Sequence, residues 1–547
     1  MNSKPAAQPN IVTVTNKKSG VTYVYEDIPF WNKEKKRGEH DRKCIGKLDK
    51  SGEIVYNEFY RQREQLRQQG VPMVSTTTLV GQSLILDKII KELQILKVLK
   101  EAFGEEDAKR ILNLASFSVC GHKALSRSDI WLDDRGKEGL SSQQIGDLLP
   151  TLDVDKQNIF FSRWFKEHHD KKALLFDISS ISSYAQNNTY VERGYNRDKE
   201  NLEQINLGLL CSHESKVPLW YNQLNGSLSD SIVLEEVATR LQKLGIESVT
   251  FVIDRGFYSK VNLQMLISKN FKFCIPVPSR VTWQKELIDT VRHSIRRPQN
   301  IILTKEDDES YVYGVTSYSV ESYGRTWRHV YFDPVRKEHD VTSLMLKLRK
   351  CQEELERGER IESHKHLYKN YFEVKETPVR GRKVLLKEDK VDEYINGYSG
   401  YWVILTNAEK DASKALSYYR KRNDVEVHFD DLKNNLDCYR LRVHRERAMS
   451  GRLFIHFIAL IILTELRKRV QAIPPKERKY WDAEKFLHLV NTYSRIHFHG
   501  KYEDQYTTPT KSQRLIFDML DIPYSWKGKT YNDPEEDVPE WAKNNGD

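Results

Sequence analysis

Tyr419, Arg422, Glu426 and Lys433 stand at offsets of zero, three, seven and fourteen residues within SYYRKRNDVEVHFDDLKNNL. At roughly 100° per residue these offsets return to within about 60° of one another on an α-helix. Tyr418, Val425, Phe429, Leu432 and Leu436 fall on an adjoining stripe. The segment therefore predicts an amphipathic helix whose apolar face packs on a core. Along the edge of that face run a carboxylate, two cations and a phenol, a set able to hold a metal ion while gripping phosphates. The plainer alternative is a solvated charged face with one i, i+4 pair. Asp430 lies near the same face and rivals Glu426, whereas His428 projects elsewhere.

Two further carboxylates favour the metal reading. Asp177 closes the apolar run ALLFD and Asp254 closes VTFVID. Both runs are short and rich in aliphatic, β-branched or aromatic residues, which predicts buried strands. A carboxylate at the exit of each of two core strands, with a third on a helix, is the donor set of a two-metal phosphodiester site. The proposal depends on the fold returning the distant helix to those strand ends.

Asp254-Arg255-Gly256-Phe257, taken with the Tyr/Arg/Glu/Lys helix, resembles DDE-type transposases encoded by bacterial insertion sequences. The resemblance is to the group named for that tyrosine–arginine–glutamate–lysine spacing. It spans about residues 170–470 and is clearest in 173–184, 249–258 and 400–437. Two positions depart from the pattern: Ser179 stands where a threonine is frequent, and Asn423 where an aromatic is frequent. Neither is a proposed metal ligand.

The resemblance implies an α/β fold: an RNase H-like catalytic core interrupted by a β-rich insertion, with a mixed N-terminal and a helical C-terminal region. It implies two Mg²⁺ ions, with Mn²⁺ able to substitute. Asp177 would bridge the ions, and Asp254 and Glu426 would each complete one. Tyr419, Arg422 and Lys433 would hold phosphates of the element's terminal nucleotides, Arg422 bidentately and Lys433 as a point charge. The implied reaction frees a 3′-hydroxyl at the element's end, which then attacks target DNA. Implied partners are the terminal repeats, target DNA and a second copy of the chain in a homodimer; no membrane is implied. Two other functions stay open: a stand-alone RNase H-like metal-dependent nuclease, and a catalytically inactive DNA-binding protein descended from a transposase.

Composition sets the bounds. The 547 residues suffice for several domains and a sizeable core. With 87 basic against 78 acidic residues, the net charge of +9 is compatible with a polyanionic partner without demanding one. The six cysteines are scattered with no CxxC pair, which argues against structural zinc and a disulfide framework and fits a reducing cytoplasm. The segment MNSKPAAQPNIVTV has no secretory apolar stretch, which fits a cytoplasmic protein; the resemblance implies a bacterial or archaeal, nucleoid-associated one. LFIHFIALIILTEL (453–466) is too short to span a bilayer and predicts a buried helix.

The elements that must position the carboxylates divide the chain into five parts. Residues 1–79 alternate β-like runs with a basic patch, Lys33 to Arg37. Residues 80–171 are helical in pattern. Within them LSSQQIGDLLPTLDVDKQNIFFSRWF reads either as a helix-turn-helix for the element's ends or as part of a plain bundle. Arg163, Lys166, Lys171 and Lys172 could contact phosphates or simply face solvent. Residues 172–280 run as three strands, a helix starting at Ser229 or Asp230, a strand, a helix and a strand. With 400–470 they would form the RNase H-like core. Residues 281–399 are too long for a connection and predict a β-rich insertion. There Trp327, between Arg325 and Arg328, is a candidate for stacking on an unpaired base, against the alternative of a structural tryptophan. Residues 471–547 predict a helical region ending in the acidic tail DPEEDVPE (533–540).

Overall fold

A computed structural model describes residues 10–532, apart from 18, 33–36, 69–73, 122–123, 170–172, 229, 244, 247–248, 304–309, 322–323, 378–380, 500–501 and 527–528. Most of the basic patch that begins at Lys33, Lys171, Lys172, Ser229 and the acidic tail lie outside the described residues. The chain forms two compact units: 1–93 with 127–140 and 466–547, and 94–126 with 141–465. The five-part division drawn from sequence cuts across these units.

In the first unit, Asn10–Thr15, Thr22–Asn32, Arg37–Leu48 and Ile54–Tyr56 pair in order as an antiparallel sheet. Val74–Leu79, a β-branched run, pairs antiparallel with Ser494–Phe498, which in turn pairs with Gln505–Tyr506. The C-terminal region expected to be helical is thus mixed. It has helices at Ala483–Val490 and Lys511–Met519, and four short strands among the described residues. The alternation in SRIHF is a strand pattern whose partner lies hundreds of positions earlier in the chain. The buried Arg135 guanidinium donates to Gln82 (2.6 Å) and Asn491 (2.5 Å), tying these distant segments together.

The second unit is built on one large sheet. Ala173–Ser183, Gln204–Ser212 and Pro218–Asn225 are antiparallel neighbours. After the helix Asp230–Lys243, Thr250–Val252 lies parallel beside the first strand. After Lys260–Ser268, Lys272–Pro276 lies parallel beside that. Along the chain these follow the expected order of three strands, helix, strand, helix, strand, and in the sheet they lie third, second, first, fourth, fifth. The central strands are buried on both faces, all nine residues of Gln204–Ser212 included, as continuous apolar runs require.

The insertion differs from the separate β-rich subdomain expected. Tyr401–Thr406 pairs antiparallel with Lys272–Pro276, and Gly324–Phe332, Tyr311–Glu321 and Ile301–Leu303 follow it outward. The strands of the insertion therefore extend the core sheet, because an apolar strand such as YWVILT leaves a free edge that must be paired. The rest of the insertion is mostly helical: Thr282–Val291, Pro334–Glu356, Lys365–Tyr371 and Glu388–Gly397, with one hairpin, Phe372–Thr377 and Gly381–Leu386. It has a small core of its own, Leu344, Leu348, Cys351, Leu355, Phe372 and Val391.

The possible helix-turn-helix forms Ser142–Leu148, capped by a Ser141/Gln144 box, and Val154–His168, capped by Asp153. Phe160, Phe161 and Trp164 of the second helix face inward, where the two phenylalanines meet Phe454 at 5.2 and 6.0 Å. Phe454 belongs to Glu446–Ala472, whose 27 residues are long and apolar enough to cross a membrane by length and composition. Its most apolar stretch is 89% buried within the protein, the behaviour of a core helix. His456 on it accepts from Arg452 (3.3 Å), and burial holds its imidazole well below the usual value, so it stays neutral. Truncating the fully buried Phe454 to Ala is expected to cost about 3–5 kcal/mol, measured as unfolding free energy by chemical denaturation.

Candidate active site

The placement of the first two carboxylates follows from strand register. Leu175 pairs with Val252 across the parallel strands. Asp177 and Asp254 each stand two residues further on, which carries both to the same end of the sheet and into one cleft. Asp254 lies just beyond its strand, before the short turn Arg255–Phe257. Asp177 does not end its strand as expected: Ala173–Ser183 continues six residues past it. The continuation ISSISS reads poorly as a strand, but its buried serines find partners nearby. Ser180 Oγ donates to Tyr195 O, Ser182 Oγ accepts from Asn196, and Arg440–Leu441 pairs alongside Ser182 and Ser183.

The segment carrying Tyr419 to Lys433 is not one continuous helix. Ala412–Arg420, capped by Asp411, ends before Arg422, and Asn423–Asp430 follows. At the junction the amides of Arg422, Asp424 and Val425 bond to carbonyls three residues back, a local 3₁₀ tightening. Asn423 and Asp424, types that compete with the helical backbone, sit at this break. Asp431–Asn435 then forms a π turn. The expected apolar stripe holds nonetheless: Val425, Phe429, Leu432 and Leu436 are buried, and Tyr418 packs edge-on to His213. His428 is structural, lying 2.8 Å from Lys216 O.

Asp177, Asp254, Glu426, Arg422 and Lys433 line one cleft of about 420 Å³, together with Arg197, Asp198, Asp430 and Tyr439. Arg422 joins the carboxylates. One nitrogen donates to Asp177 Oδ2 at 2.8 Å and the other to Glu426 Oε1. Lys433 is nearly buried and donates to both oxygens of Asp198, at 2.9 and 2.7 Å. Tyr419 is half-buried outside the cleft lining, its ring 6.0 Å from the Arg422 guanidinium. Trp327 is not brought to the cleft. It is half-buried on the insertion's strand, 6.4 Å from Tyr318, and the neighbouring Arg328 is engaged with Glu321 and the face of Trp283. Sequence pattern does not point to Arg197 and Asp198, because the polar stretch 184–203 carries no periodicity and only its ERGYNRDKE charges offer a signal, nor to Tyr439, which lies beyond the Tyr419–Lys433 spacing.

Burial pushes the Asp177 carboxyl up to about 6, against the opposing pull of Arg422 and the Ile178 amide, with Asp254 adding repulsion. Burial also works against the charge on Arg422, but Asp177, Asp254, Tyr419 and Glu426 overcome it, so the guanidinium is held more firmly charged than usual. The Tyr419 phenol is raised, chiefly by burial. The cleft is therefore a place where carboxylates are crowded and underhydrated, and a cation is needed among them.

Residues 168–462 match the family model described as Transposase DDE domain. That is more than half of the chain, and the chain belongs to this family. Comparison with curated proteins gives no match. Among solved structures, a cryo-EM structure of a piggyBac transposase synaptic complex with hairpin DNA is similar over 71% of this chain and 70% of that one. The identity is 13% and the TM-score 0.38, a likeness too slight to bear on the site.

Asp177 binds its proton more tightly folded than unfolded. The stability from that preference is full below the ordinary carboxylate value of 3.8 and is lost as pH rises through about 6. With divalent metal chelated, the unfolding free energy of the wild type relative to Asp177→Asn should therefore fall by on the order of 3 kcal/mol from about pH 4 to about pH 7. A difference that stays flat across that range would show that Asp177 is not raised.

Proposed function

We propose that this chain is a DDE transposase of the tyrosine–arginine–glutamate–lysine group, which binds the terminal repeats of its own element, cuts them, and joins the freed 3′-hydroxyls to target DNA. The observation that carries the reading is the meeting of Asp177, Asp254 and Glu426 with Arg422 and Lys433 on one cleft. The family generally depends on divalent metal, and the donor set fits one. Among the described residues the cleft is lined by carboxylates with no cysteine or histidine, the hard oxygen ligands that Mg²⁺ takes and Mn²⁺ accepts. Asp177, Asp254 and Glu426 would hold the metal. Bound there, divalent metal supplies an activated oxygen nucleophile and stabilises the leaving oxygen of an in-line displacement.

The chain's own residues do the rest. Arg422 neutralises Asp177 and Glu426 until another cation takes over, and its planar fork is then free to grip a phosphate bidentately. Lys433, kept in place by Asp198, offers a point charge to the backbone of the terminal nucleotides. Tyr419 braces Arg422 from its side. Cutting and joining need one site because each is the same displacement with a different oxygen attacking. A synaptic homodimer would bring two such clefts to the two ends.

Glu426→Gln keeps the hydrogen-bonding shape and removes the charge. With Mg²⁺ the wild type should nick a duplex of the element's terminal repeat at its boundary. The variant should bind the same duplex and cut it at least about a hundredfold more slowly, as expected for loss of a metal-holding group. Binding without cleavage in any metal would identify an inactive descendant, and cleavage indifferent to the repeat would identify a general nuclease.

A further inference from the structure

The insertion holds a second donor cluster with no part in the cleft. Cys351 and Glu354 stand three residues apart on Pro334–Glu356, so both point to one side of that helix. His364 comes from the turn Glu362–His364, beyond the bend that ends the helix. One ligand atom from each, a sulfur, a carboxylate oxygen and an imidazole nitrogen, lie within 4.8 Å of one another. Cys351 is fully buried and Glu354 is 5% exposed. Glu354 Oε2 lies 2.8 Å from His364 Nδ1 and accepts the Tyr368 hydroxyl at 2.5 Å. Its other oxygen, Oε1, is buried with no hydrogen-bond donor among the described residues.

We propose that Cys351, Glu354 and His364 form a zinc site that fastens the helical part of the insertion. Three observations converge on it. The donor types are those of Zn²⁺, a thiolate, an imidazole and a carboxylate, and the soft sulfur disfavours Mg²⁺ and Ca²⁺. The spacing suits it. Zinc bonds of about 2.3 Å to sulfur and about 2.0–2.1 Å to nitrogen or oxygen give tetrahedral edges of about 3.3–3.6 Å, so from atoms within 4.8 Å of one another the cluster closes by at most about 1.5 Å, within reach of side-chain rotation. The orphaned Oε1 gives a buried anionic atom that only a cation or a donor can satisfy. Coordination as a thiolate would release the Cys351 proton to solvent. Three protein donors leave a fourth position for water.

The benefit is local. The insertion's own core is small, six buried residues with seven partly buried hydrophobics packed against them, and a core of that size gains from a staple. A metal clip from the long helix to the segment leading into Lys365–Tyr371 closes that core at its polar edge. Zinc was unexpected from the cysteine spacing, since only one cysteine takes part and the other ligands come from helix geometry and a turn.

The test uses the full-length chain, stripped with EDTA, desalted and titrated with Co²⁺ and then Zn²⁺. One equivalent of Co²⁺ should give a thiolate-to-cobalt charge-transfer band in the near ultraviolet, which Zn²⁺ then bleaches. The carboxylate cleft has no cysteine in its lining and cannot produce that band. Cys351→Ser should abolish it. His364→Gln, at a partly exposed side chain, should weaken Co²⁺ binding at least about tenfold, since even supporting groups cost about 10–100-fold in metal affinity. No band in the wild type, an unchanged band in Cys351→Ser, or undiminished affinity in His364→Gln would each overturn the proposal. The last measurement stands even if the buried serine variant fails to fold.

Discussion

Carboxylates on neighbouring parallel strands cannot sit side by side, partly buried, without a cation between or beside them. The register of Leu175 with Val252 brings Asp177 and Asp254 to one end of the sheet and into one cleft, and much of the second unit answers the resulting electrostatic problem. Arg422 supplies the charge, and Glu426 shares it. A point charge of the opposite sign a few ångströms away is worth far more in an underhydrated cleft than in water, so the junction bearing Arg422 is held to the cleft that the two aspartates line. The same logic explains Lys433. Nearly buried, it must be paired, and Asp198 on the loop after the first strand pairs it. Acid and base are thus matched around the cleft before any ligand enters, and a metal or phosphate arriving there exchanges one set of charge pairs for another.

The site was legible in the sequence to the extent that local pattern survives folding. Periodicity placed Arg422, Glu426 and Lys433 on one face although the segment is not a single α-helix. The 3₁₀ tightening near Arg422 overwinds the chain and the π turn at Asp431–Asn435 underwinds it, so the two departures counteract each other. Asp254 stood out because its strand truly stops. At Asp177 the apolar run ends, but the strand does not. Serines extend it because the loop and Arg440–Leu441 supply hydrogen-bond partners that sequence cannot show. Asp198 was invisible for a related reason. Its importance comes from Lys433, whose burial is a tertiary fact.

Edge pairing was the larger blind spot. An alternating pattern such as YVYGVTSYSVE announces a half-buried strand but not which strand it joins. The insertion therefore looked like a separate body when its hairpin continues the core sheet. SRIHF was missed because its partner, Val74–Leu79, lies at the other end of the chain. In both cases the missing information is long-range register, which hydrophobic period alone does not encode.

That shared sheet changes what the insertion can do. Gly324–Phe332 is the neighbour of Tyr401–Thr406, the strand that leads into the segment bearing Arg422 and Glu426. Two side chains of the insertion strand reach beyond it. The Tyr331 hydroxyl donates to Ala412 O at 2.8 Å, and His329 Nε2 lies 3.1 Å from Glu409 O. Both residues are buried, and burial raises the Tyr331 phenol and lowers the His329 imidazole, so each remains a neutral hydrogen-bonding group. They fix the start of Ala412–Arg420 and hence the approach of Tyr419 and Arg422 to the cleft. A displaced insertion strand would have to break these buried bonds or carry the helix with it. Because unsatisfied buried groups are costly, moving together is the cheaper course, and the insertion is mechanically part of the site it interrupts.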